Sequence, residues 1–206
     1  MLKLINIIKN MCMNQPMLII GIDGLGGAGK SYFSEKLKKI LSQQNYSVEI
    51  IHIDDFIYNR NIRYNPNYPE WYCYYFLQWR YEYLKSELIY QLKRDNEFHG
   101  SVKLYDKEKD KYFLQRLDIS KNSVVIIEGV FLQREELKNI FDFIIYINVN
   151  KEKRIERILN RDIYIGNHDD ILRKYNVRYF PAEEKYCLEN EPIKNANFIL
   201  NEEDFY

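Results

Sequence analysis

The fold of this chain is decided by residues 17–31, which read MLIIGIDGLGGAGKS. Met17 to Ile22 form a short apolar run after Pro16, a pattern typical of a buried strand. Glycine is then concentrated in one place, because five of the eight glycines of the chain lie between Gly21 and Gly29. Apolar residues recur at helical spacing from Ser31 to Gln44. The stretch therefore predicts a strand, a glycine loop and a helix in direct succession.

Residues 24–31 match the pattern G-x-x-x-x-G-K-[ST], in the strand-to-helix context that this pattern requires. Glycines let successive backbone N–H groups converge on phosphate oxygens, and the N-terminus of the following helix favours the same anion. In this arrangement Lys30 reaches the β- and γ-phosphates, and the Ser31 hydroxyl is a ligand of Mg²⁺. We therefore predict that the chain binds ATP and Mg²⁺. The predicted nucleotide contacts in the loop are Gly24, Leu25, Gly26, Gly27, Ala28, Gly29, Lys30, Ser31 and Tyr32.

Beyond the loop, apolar runs typical of strands alternate with segments of helical spacing. This alternation predicts a three-layer α/β/α fold of the P-loop NTPase type, with a mostly parallel sheet flanked by helices. Ligands of such folds bind at the carboxyl ends of the strands. We expect one domain over 17–206, preceded by a helical extension over 1–16. The further predicted strands cover 48–53, 123–128, 141–149 and 198–200, and the predicted helices cover 70–94, 151–162 and 176–188. Residues 99–117 are interpreted as a short hairpin or an extended excursion.

The composition excludes several classes of protein. Lys and Arg number 30 and Asp and Glu number 30, so the formal net charge is zero and the basic surface of a dedicated nucleic-acid binder is absent. The three cysteines form no C-x-x-C pair, which argues against a disulfide framework or a cysteine-based zinc site and fits a reducing cytoplasm. We expect a cytoplasmic protein without a nucleic-acid or membrane partner, and the sequence leaves a homo-oligomer open.

The N-terminal residues 1–15 are apolar but interrupted by Lys3, Asn6, Lys9 and Asn10. They are too short to span a bilayer and lack the long apolar core and cleavage site of a signal peptide. We predict a short amphipathic helix that packs on the domain, with a membrane-surface anchor as the alternative.

Carboxylates follow two of the predicted strands. Asp54 and Asp55 come directly after the strand that ends at Ile53, and Glu128 ends the apolar run that begins at Val124. Both positions fall where the strand ends should meet the glycine loop. A carboxylate there can bind Mg²⁺ or accept a proton from an attacking hydroxyl. An ordinary polar strand exit or helix cap is the alternative for the aspartate pair.

These motifs, in this order, resemble the uridine kinase-like family of P-loop kinases. The resemblance rests on residues 21–31, on His52-Ile53-Asp54-Asp55-Phe56 and on Glu128-Gly129-Val130-Phe131, and it extends from about residue 17 to 162. The family also includes nicotinamide riboside kinase, bacterial pantothenate kinase and phosphoribulokinase. The resemblance implies that Asp54 is the catalytic base and that Glu128 helps to hold Mg²⁺, together with Ser31 and Asp54.

The resemblance also implies a helical, arginine-bearing lid over residues 151–175. Residues 154–162 read RIERILNRD and are similar to the family's R-x-x-R-x-x-x-R-D segment. Arg154, Arg157 and Arg161 would share one helix face, where Arg154 contacts the nucleotide and the other two stabilise charge on the transferred phosphate. A solvated face paired with Glu152 and Glu156 is the alternative. Nucleoside-specific members continue with a glycine- and arginine-rich stretch, whereas this chain has IYIGNH at 163–168.

The acceptor-binding region is expected over residues 54–118. Tyrosines and tryptophans cluster between Tyr58 and Trp79, and the family builds its acceptor site from this segment and from an excursion that carries a tyrosine, here Tyr105. Aromatic rings can stack on a substrate ring, but each of them can equally serve core packing. Arg178 could reach a phosphate or pair with Glu183 or Glu184, and His52 is interpreted as a core histidine. The predicted acceptor contacts are Asp55, Tyr64, Trp71, Tyr75, Tyr105 and Arg178.

Together these features predict an ATP-dependent small-molecule kinase that transfers the γ-phosphate to a hydroxyl of a nucleoside-like or other small metabolite. The alternative is a regulatory P-loop module with weak ATPase activity, which would need neither a base nor an aromatic acceptor segment. A polynucleotide 5′-hydroxyl kinase is disfavoured by the zero net charge. The sequence leaves open whether the acceptor is a nucleoside, a vitamin precursor, a sugar or an antibiotic, and whether ATP or GTP is the donor.

We predict that Lys30→Ala abolishes phosphoryl transfer while the fold stays intact, because Lys30 acts on phosphate and not in the core. Loss of one preorganised charge at the transferred phosphate typically costs about 10²–10³-fold in turnover. An ADP-release assay measures the loss, and circular dichroism checks the fold. Wild-type turnover in the variant would refute the assignment of the loop.

Overall fold

The computed structural model describes residues 1–205, so Tyr206 at the end of the predicted domain lies outside the described residues. Its centre is a parallel sheet of five strands in the order β2-β5-β1-β6-β7. Two further strands, β3 and β4, pair only with each other as an antiparallel hairpin. The strands are β1 (Met17–Asp23), β2 (Ser47–His52), β3 (Phe98–Asp106), β4 (Lys111–Ile119), β5 (Ser123–Gly129), β6 (Phe143–Asn148) and β7 (Phe198–Asn201).

Helices connect the parallel strands. The α-helices are α1 (Leu2–Asn14), α2 (Lys30–Ser42), α3 (Arg60–Arg63), α4 (Glu70–Tyr72), α5 (Tyr81–Leu84), α6 (Tyr90–Asp95), α7 (Lys151–Arg161), α8 (His168–Lys174), α9 (Phe180–Asn190) and α10 (Pro192–Asn195). Three π-helical segments continue α4, α5 and α8, at Cys73–Leu77, Lys85–Ile89 and Tyr175–Tyr179. Short 3₁₀ turns lie at Ile53–Asp55, Glu135–Leu137 and Glu202–Phe205.

The central strand β1 separates two hydrophobic layers. Successive side chains of a strand point to opposite faces, and Ile19 accordingly packs in one buried cluster while Leu18 and Ile20 pack in another. The second cluster contains Leu4, Ile5 and Ile8 of α1 and Phe33, Leu37 and Leu41 of α2, and the first contains Leu84, Leu88 and Leu92 together with the β3–β4 hairpin. This arrangement confirms the predicted three-layer α/β/α fold.

The N-terminal helix α1 buries Leu4, Ile5 and Ile8 against the layer that also holds α2. The predicted amphipathic helix at the N-terminus therefore exists and packs on the sheet layer. Among residues 1–205, no helix combines the length and the apolar character needed to cross a bilayer.

The prediction of one regular helix over 70–94 is wrong, because the chain leaves the helix at Gln78 and re-enters it at Tyr81. Trp79 pairs with Ile57 in an isolated antiparallel bridge. The carbonyl of Gln78 accepts from the N–H of Tyr58 at 2.9 Å, and the N–H of Arg80 donates to the carbonyl of Phe56 at 2.8 Å. These backbone groups are satisfied by the segment after β2, so a continuous helix cannot form here.

The hairpin of β3 and β4 confirms the hairpin interpretation of residues 99–117. Its tip turns toward α3, where the backbone N–H of Arg60 donates to Asp110 Oδ1 at 2.9 Å and its guanidinium donates to the carbonyl of Lys107 at 2.6 Å. The base of the hairpin is buried through Val102 and Leu117 in the first hydrophobic layer. The hairpin thus lies beside the carboxyl edge of the sheet, close to the end of β2.

We predict that Gly129→Ala destabilises the fold, because a Cβ atom at Gly129 would lie 2.0 Å from Cγ2 of the fully buried Ile53. Overpacking of this kind costs about 1–3 kcal/mol, and we expect the upper part of that range. Urea denaturation measures the free energy of unfolding. Gly100→Ala is the control, since its Cβ would meet only the end of the Phe98 ring at 2.9 Å. Equal losses in the two variants would contradict the assigned cause.

Candidate active site

The glycine loop joins the carboxyl end of β1 to the first residue of α2, Lys30. Gly27 and Gly29 have φ angles of +77° and +96°, in the left-handed region that glycine adopts without strain. A Cβ atom on Gly27 would lie 2.7 Å from the carbonyl oxygen of Arg154. Both the backbone conformation and the close approach therefore require glycine, and the loop delivers its N–H groups to the start of a helix, where anions bind.

A cleft of about 480 Å³ opens at this carboxyl edge of the sheet. One end is formed by the glycine loop and the start of α2, through Gly26, Gly27, Lys30 and Ser31. The carboxylates of Asp54 and Glu128, from the ends of β2 and β5, line the same space. The other wall comes from the segment after β2, from the hairpin tip and from the region after α7. The residues that form this wall include Arg60, Arg63, Tyr64, Tyr74, Gln78, Lys107, Tyr164, Tyr175 and Tyr179.

Glu128 is the centre of a polar cluster at the loop. Its Oε1 accepts from the Ser31 hydroxyl at 2.9 Å and lies 2.6 Å from Nδ1 of His52. Burial alone would raise the pKa of Glu128, but the hydrogen bond from His52 and the charge of Lys30 outweigh it and hold the pKa below its ordinary value. The interpretation of His52 as a core histidine is wrong, because its side chain is 40% exposed and contacts this carboxylate.

The residues around Ser31 suit Mg²⁺. The Ser31 hydroxyl and the Glu128 carboxylate lie within hydrogen-bond distance, Asp54 lines the same cleft, and all three offer oxygen ligands of the kind that Mg²⁺ prefers. No group of three or more His, Cys, Asp or Glu side chains within residues 1–205 could hold a metal ion alone. The site therefore fits an ion whose remaining ligands are phosphate oxygens and water.

Lys30 lies in the loop, where its Nζ donates to the carbonyl of Leu25 at 3.0 Å. Burial lowers the pKa of Lys30, an effect that the negative charges of Glu128, Asp23 and Asp54 oppose. The ammonium group thus lines the cleft under the influence of four carboxylates, the fourth being Glu183.

Asp54 and Asp55 have different surroundings although they are neighbours in the chain. The side chain of Asp54 is 57% exposed, lines the cleft and has Nζ of Lys107 at 3.7 Å from its Oδ2. Asp55 is partly buried, does not line the cleft, and has a pKa raised chiefly by burial. The structure therefore brings Asp54, and not Asp55, into the cleft with the glycine loop.

Asp23 is a residue of this site that the sequence analysis did not single out. It ends β1, is fully buried, and accepts from the N–H of Gly24 at 2.8 Å, from the Tyr186 hydroxyl at 2.5 Å and from Gln133 Nε2 at 2.9 Å. Burial raises the pKa of Asp23 although these donors lower it. The available signal was an acidic residue at the end of a buried apolar strand, directly before the glycines.

Arg154 lies on the outside of the glycine loop and not in the cleft. It is 4% exposed, and its Nη1 donates to the carbonyl of Gly26 and to Oε2 of Glu183, both at 2.9 Å. Oε1 of Glu183 accepts from the N–H of the same Gly26 at 2.7 Å. The predicted phosphate contact of Arg154 is therefore not what the geometry shows: Arg154 and Glu183 bind the two backbone polar groups of Gly26, and Glu183, unlike Arg154, also lines the cleft.

The other two lid arginines also differ from each other. Arg157 donates to the carbonyl of Ala28 at 3.2 Å and to Glu202 at 2.9 Å, so it too grips the back of the loop. Arg161 lines the cleft, where it is paired with Asp162 at 2.7 Å. The three arginines therefore do not act on one ligand from a common helix face. Arg154 and Arg157 contact the backbone of the glycine loop, and of the three only Arg161 lines the cleft. The predicted helical lid segment is present as α7 followed by α8.

Two of the predicted acceptor contacts lie on the outer side of the 70–77 segment. Trp71 borders a separate shallow groove against α9. Tyr75 is 2% exposed, and its hydroxyl donates to Glu189 at 3.1 Å. The π-helix at Cys73–Leu77 explains this error, because one extra residue per turn shifts the regular face that the sequence predicts. Tyr74 faces the cleft instead.

Two further predicted acceptor contacts, Tyr105 and Arg178, are buried behind the cleft wall. The Tyr105 hydroxyl bonds to Asp110 and accepts from Arg63 Nη2 at 2.9 Å. Arg178 is 1% exposed and pairs with neither Glu183 nor Glu184, since its donors go to Gln78 and to two backbone carbonyls. Of the six predicted acceptor residues, the cleft is lined only by Tyr64. Tyr74, Gln78, Tyr164 and Tyr179 were missed, because their direction depends on the helix break and on the turn after α7.

Comparison with known proteins agrees with this geometry. The model of the phosphoribulokinase/uridine kinase family matches residues 19–200, well beyond the lid. A uridine kinase from Macrococcus caseolyticus is 29% identical over 195 residues, which are 89% of this chain and 87% of the relative. A uridine kinase from Borrelia garinii is 30% identical over 70% of this chain and 67% of its own length.

A solved structure, "Structure of a Possible Uridine Kinase from Bacillus stearothermophilus", superposes with a TM-score of 0.75 at 32% identity. The superposition covers 96% of this chain and 99% of that one, so the two share the whole P-loop fold. The cleft combines the glycine loop with carboxylates that follow two strands, the motifs on which the sequence resemblance rests. The chain belongs to the phosphoribulokinase/uridine kinase family and is an ATP-dependent kinase that acts on a small molecule.

Proposed function

We propose that this kinase transfers the γ-phosphate of ATP to a hydroxyl group of a nucleoside-like or other small metabolite. The observation that supports the proposal most directly is the position of Asp54. Its exposed carboxylate lines the same cleft as the glycine loop and a wall of tyrosines. An acceptor bound against the tyrosines can reach both the base and the terminal phosphate.

The glycine-loop end holds the nucleotide. The N–H groups of the loop and the N-terminus of α2 bind the phosphates, and Lys30 neutralises the charge at their far end. Ser31 and Glu128 would hold Mg²⁺ together with Asp54. The ion, when bound, neutralises charge that develops on the β- and γ-phosphates.

Asp54 acts as the general base. A carboxylate that accepts the proton of a hydroxyl must lie within about 3 Å of it, which requires a side chain that projects into the cleft. Asp54 meets this condition and Asp55 does not. Arg161 also lines the cleft and supplies positive charge toward the transferred phosphate. Arg154 and Arg157 act as positioning residues, since they hold Gly26 and Ala28 of the loop.

The tyrosine wall supports an acceptor with a flat ring. Tyr64, Tyr74 and Tyr179 line the cleft, and the Tyr74 and Tyr179 rings meet edge to face at 4.8 Å. Such rings stack on a base or another planar group. The relatives named uridine kinases make nucleosides the first candidates. The segment 163–168, which contributes Tyr164 to the cleft, differs from that of the nucleoside-specific members and widens the candidate set to other metabolites.

The proposal is tested with purified protein, Mg-ATP and a panel of hydroxyl acceptors that includes uridine, cytidine, nicotinamide riboside, pantothenate and D-glycerate. We expect one acceptor to raise ADP release well above the rate with ATP alone and to raise the melting temperature, because a bound ligand stabilises the folded state. ATP binding without acceptor-dependent ADP release across the panel would refute the proposal and favour a regulatory nucleotide-binding module.

We predict that Asp54→Asn lowers turnover at least about a hundredfold, since general-base catalysis typically contributes roughly 10²–10⁴-fold. The Michaelis constant for ATP should change much less. Asp55→Asn is the matched control, because it alters the adjacent carboxylate without touching the cleft. Steady-state kinetics on both variants test which aspartate is the general base. An inactive Asp55→Asn beside a near-normal Asp54→Asn would assign that role to Asp55.

We predict that Tyr64→Ala raises the Michaelis constant of the acceptor about tenfold and leaves that of ATP within about twofold. An aromatic contact contributes about 0.5–1.5 kcal/mol beyond its area burial, and about 1.4 kcal/mol corresponds to a factor of ten. Trp71→Ala is the control, because this ring lies in the groove outside the cleft. A larger effect of Trp71→Ala on the acceptor would place the acceptor elsewhere.

A further inference from the structure

Gln78 is a polar side chain of the cleft to which the reaction described above assigns no role. It lies at the break between the 70–77 helical segment and α5, is 7% exposed, and lines the cleft together with Tyr64 and Tyr74. Its backbone is fixed, because its carbonyl accepts from the N–H of Tyr58 at 2.9 Å. A buried amide at this position must have a defined set of hydrogen-bond partners.

The partner on the buried side is Arg178. Its Nη2 lies 3.0 Å from Oε1 of Gln78 and also donates to the carbonyl of Arg63 at 3.3 Å, while Nη1 donates to the carbonyl of Glu70 at 3.2 Å. A guanidinium has five donors and no acceptor, so the Gln78 atom that faces it must be the oxygen. The amide nitrogen is therefore turned away from Arg178, and it makes no hydrogen bond to any residue between 1 and 205.

Arg178 is itself held rigidly. It is 1% exposed, its Cζ lies 4.3 Å from the centre of the Tyr64 ring and 5.4 Å from that of Tyr74, and its hydrogen bonds within the described chain all go to uncharged oxygens. A flip of the Gln78 amide would place an N–H against this cation and leave a charged donor unsatisfied. Hydrogen bonds to charged groups are the costly ones to lose. Gln78 consequently offers the cleft only donors.

Resting on the proposed function, we propose that Gln78 is a specificity-determining residue for the acceptor and that Arg178 is the positioning residue that fixes it. The amide nitrogen donates to an oxygen of the acceptor that carries no hydrogen, a carbonyl or a carboxylate. A substrate that places an amino group at this point binds poorly, because its N–H donors face the N–H donors of the Gln78 amide. A site built to hydrogen-bond one group rejects an analogue that lacks it, because buried polar atoms are then left unpaired.

Arg60, Arg63 and Lys107 line the cleft as well, which favours the same chemistry. Arg63 is 7% exposed, and its guanidinium donates to the carbonyl of Tyr58 and to the Tyr105 hydroxyl. The cleft thus carries positive side chains among its carboxylates, and these positive side chains can stabilise an electron-rich oxygen of the acceptor.

The test compares two pairs of acceptors in which one oxygen acceptor is exchanged: uridine with cytidine, an oxo for an amino group, and D-glycerate with glycerol, a carboxylate for a hydroxymethyl group. We expect the wild-type chain to have the higher kcat/KM for the oxo or carboxylate member of the pair that it phosphorylates. Gln78→Glu keeps an oxygen for Arg178 but replaces the N–H donor that faces the cleft with a second oxygen. It should therefore lower the ratio of kcat/KM between the two members of the pair at least about tenfold. The Michaelis constant for ATP should stay within about twofold.

The matched control is Gln115→Glu, on the exposed face of the hairpin, which makes the same change of charge outside the cleft and should leave the preference unchanged. Arg178→Met should lower the preference as well, because the Gln78 amide is then free to turn. Arg178 also donates to two backbone carbonyls, so Arg178→Met is expected to lower the melting temperature. If it does, the role of Gln78 is judged from Gln78→Glu alone, provided that this variant keeps the wild-type melting temperature.

The outcomes separate the two proposals. Absence of acceptor-dependent ADP release from the wild-type chain would overturn the proposed function and the role of Gln78 with it. Acceptor-dependent turnover with an unchanged preference in Gln78→Glu would overturn the role of Gln78 and leave the kinase function standing. An equal rise in the Michaelis constants of both members of a pair would also overturn it, because a merely structural residue does not move their ratio.

Discussion

The buried carboxylate of Asp23 joins the three segments on which the cleft depends. It accepts from the first N–H of the glycine loop, from Gln133 in the segment after β5, and from Tyr186 on α9. A charged or polar group at zero exposure is tolerated only when its hydrogen bonds are made. The loop, the exit of β5 and α9 are therefore fixed relative to one another, and the phosphate cradle and the Glu128 carboxylate keep their mutual position.

A second set of contacts fixes the same loop from outside. Arg154 and Arg157 donate to the carbonyls of Gly26 and Ala28, and Glu183 accepts from the N–H of Gly26, so the backbone of the loop is held in one conformation. Arg154 and Glu183 are each about 95% buried, and removal of either partner would leave an uncompensated charge. The lid helix α7 is consequently not only a cover for the cleft. Its N-terminal half is part of the support of the loop, and only Arg161 at its end faces the cleft.

The sequence predicts those parts of the site that local patterns determine. The strand, the glycine loop and the helix over 17–42 are fixed by an apolar run, glycines and helical spacing, and Asp54 and Glu128 follow from their places after strands. The tyrosine wall of the cleft depends on tertiary contacts instead. The pairing of Trp79 with Ile57 interrupts a helix that the periodicity extends, and the π-helix before it turns Tyr74 inward in place of Tyr75. Neither contact leaves a signal in the order of nearby residues.

The β3–β4 hairpin connects the width of the cleft entrance with the charge beside Asp54. Within residues 1–205 it has no strand pairing with the central sheet, and its tip, which lines the cleft, is held by polar contacts of Arg60. The same tip carries Lys107, the cation 3.7 Å from the Asp54 carboxylate. Movement of the tip would widen the entrance and withdraw that charge in one step. Opening of the entrance and separation of the Lys107 charge from the Asp54 carboxylate are therefore mechanically coupled through one short turn.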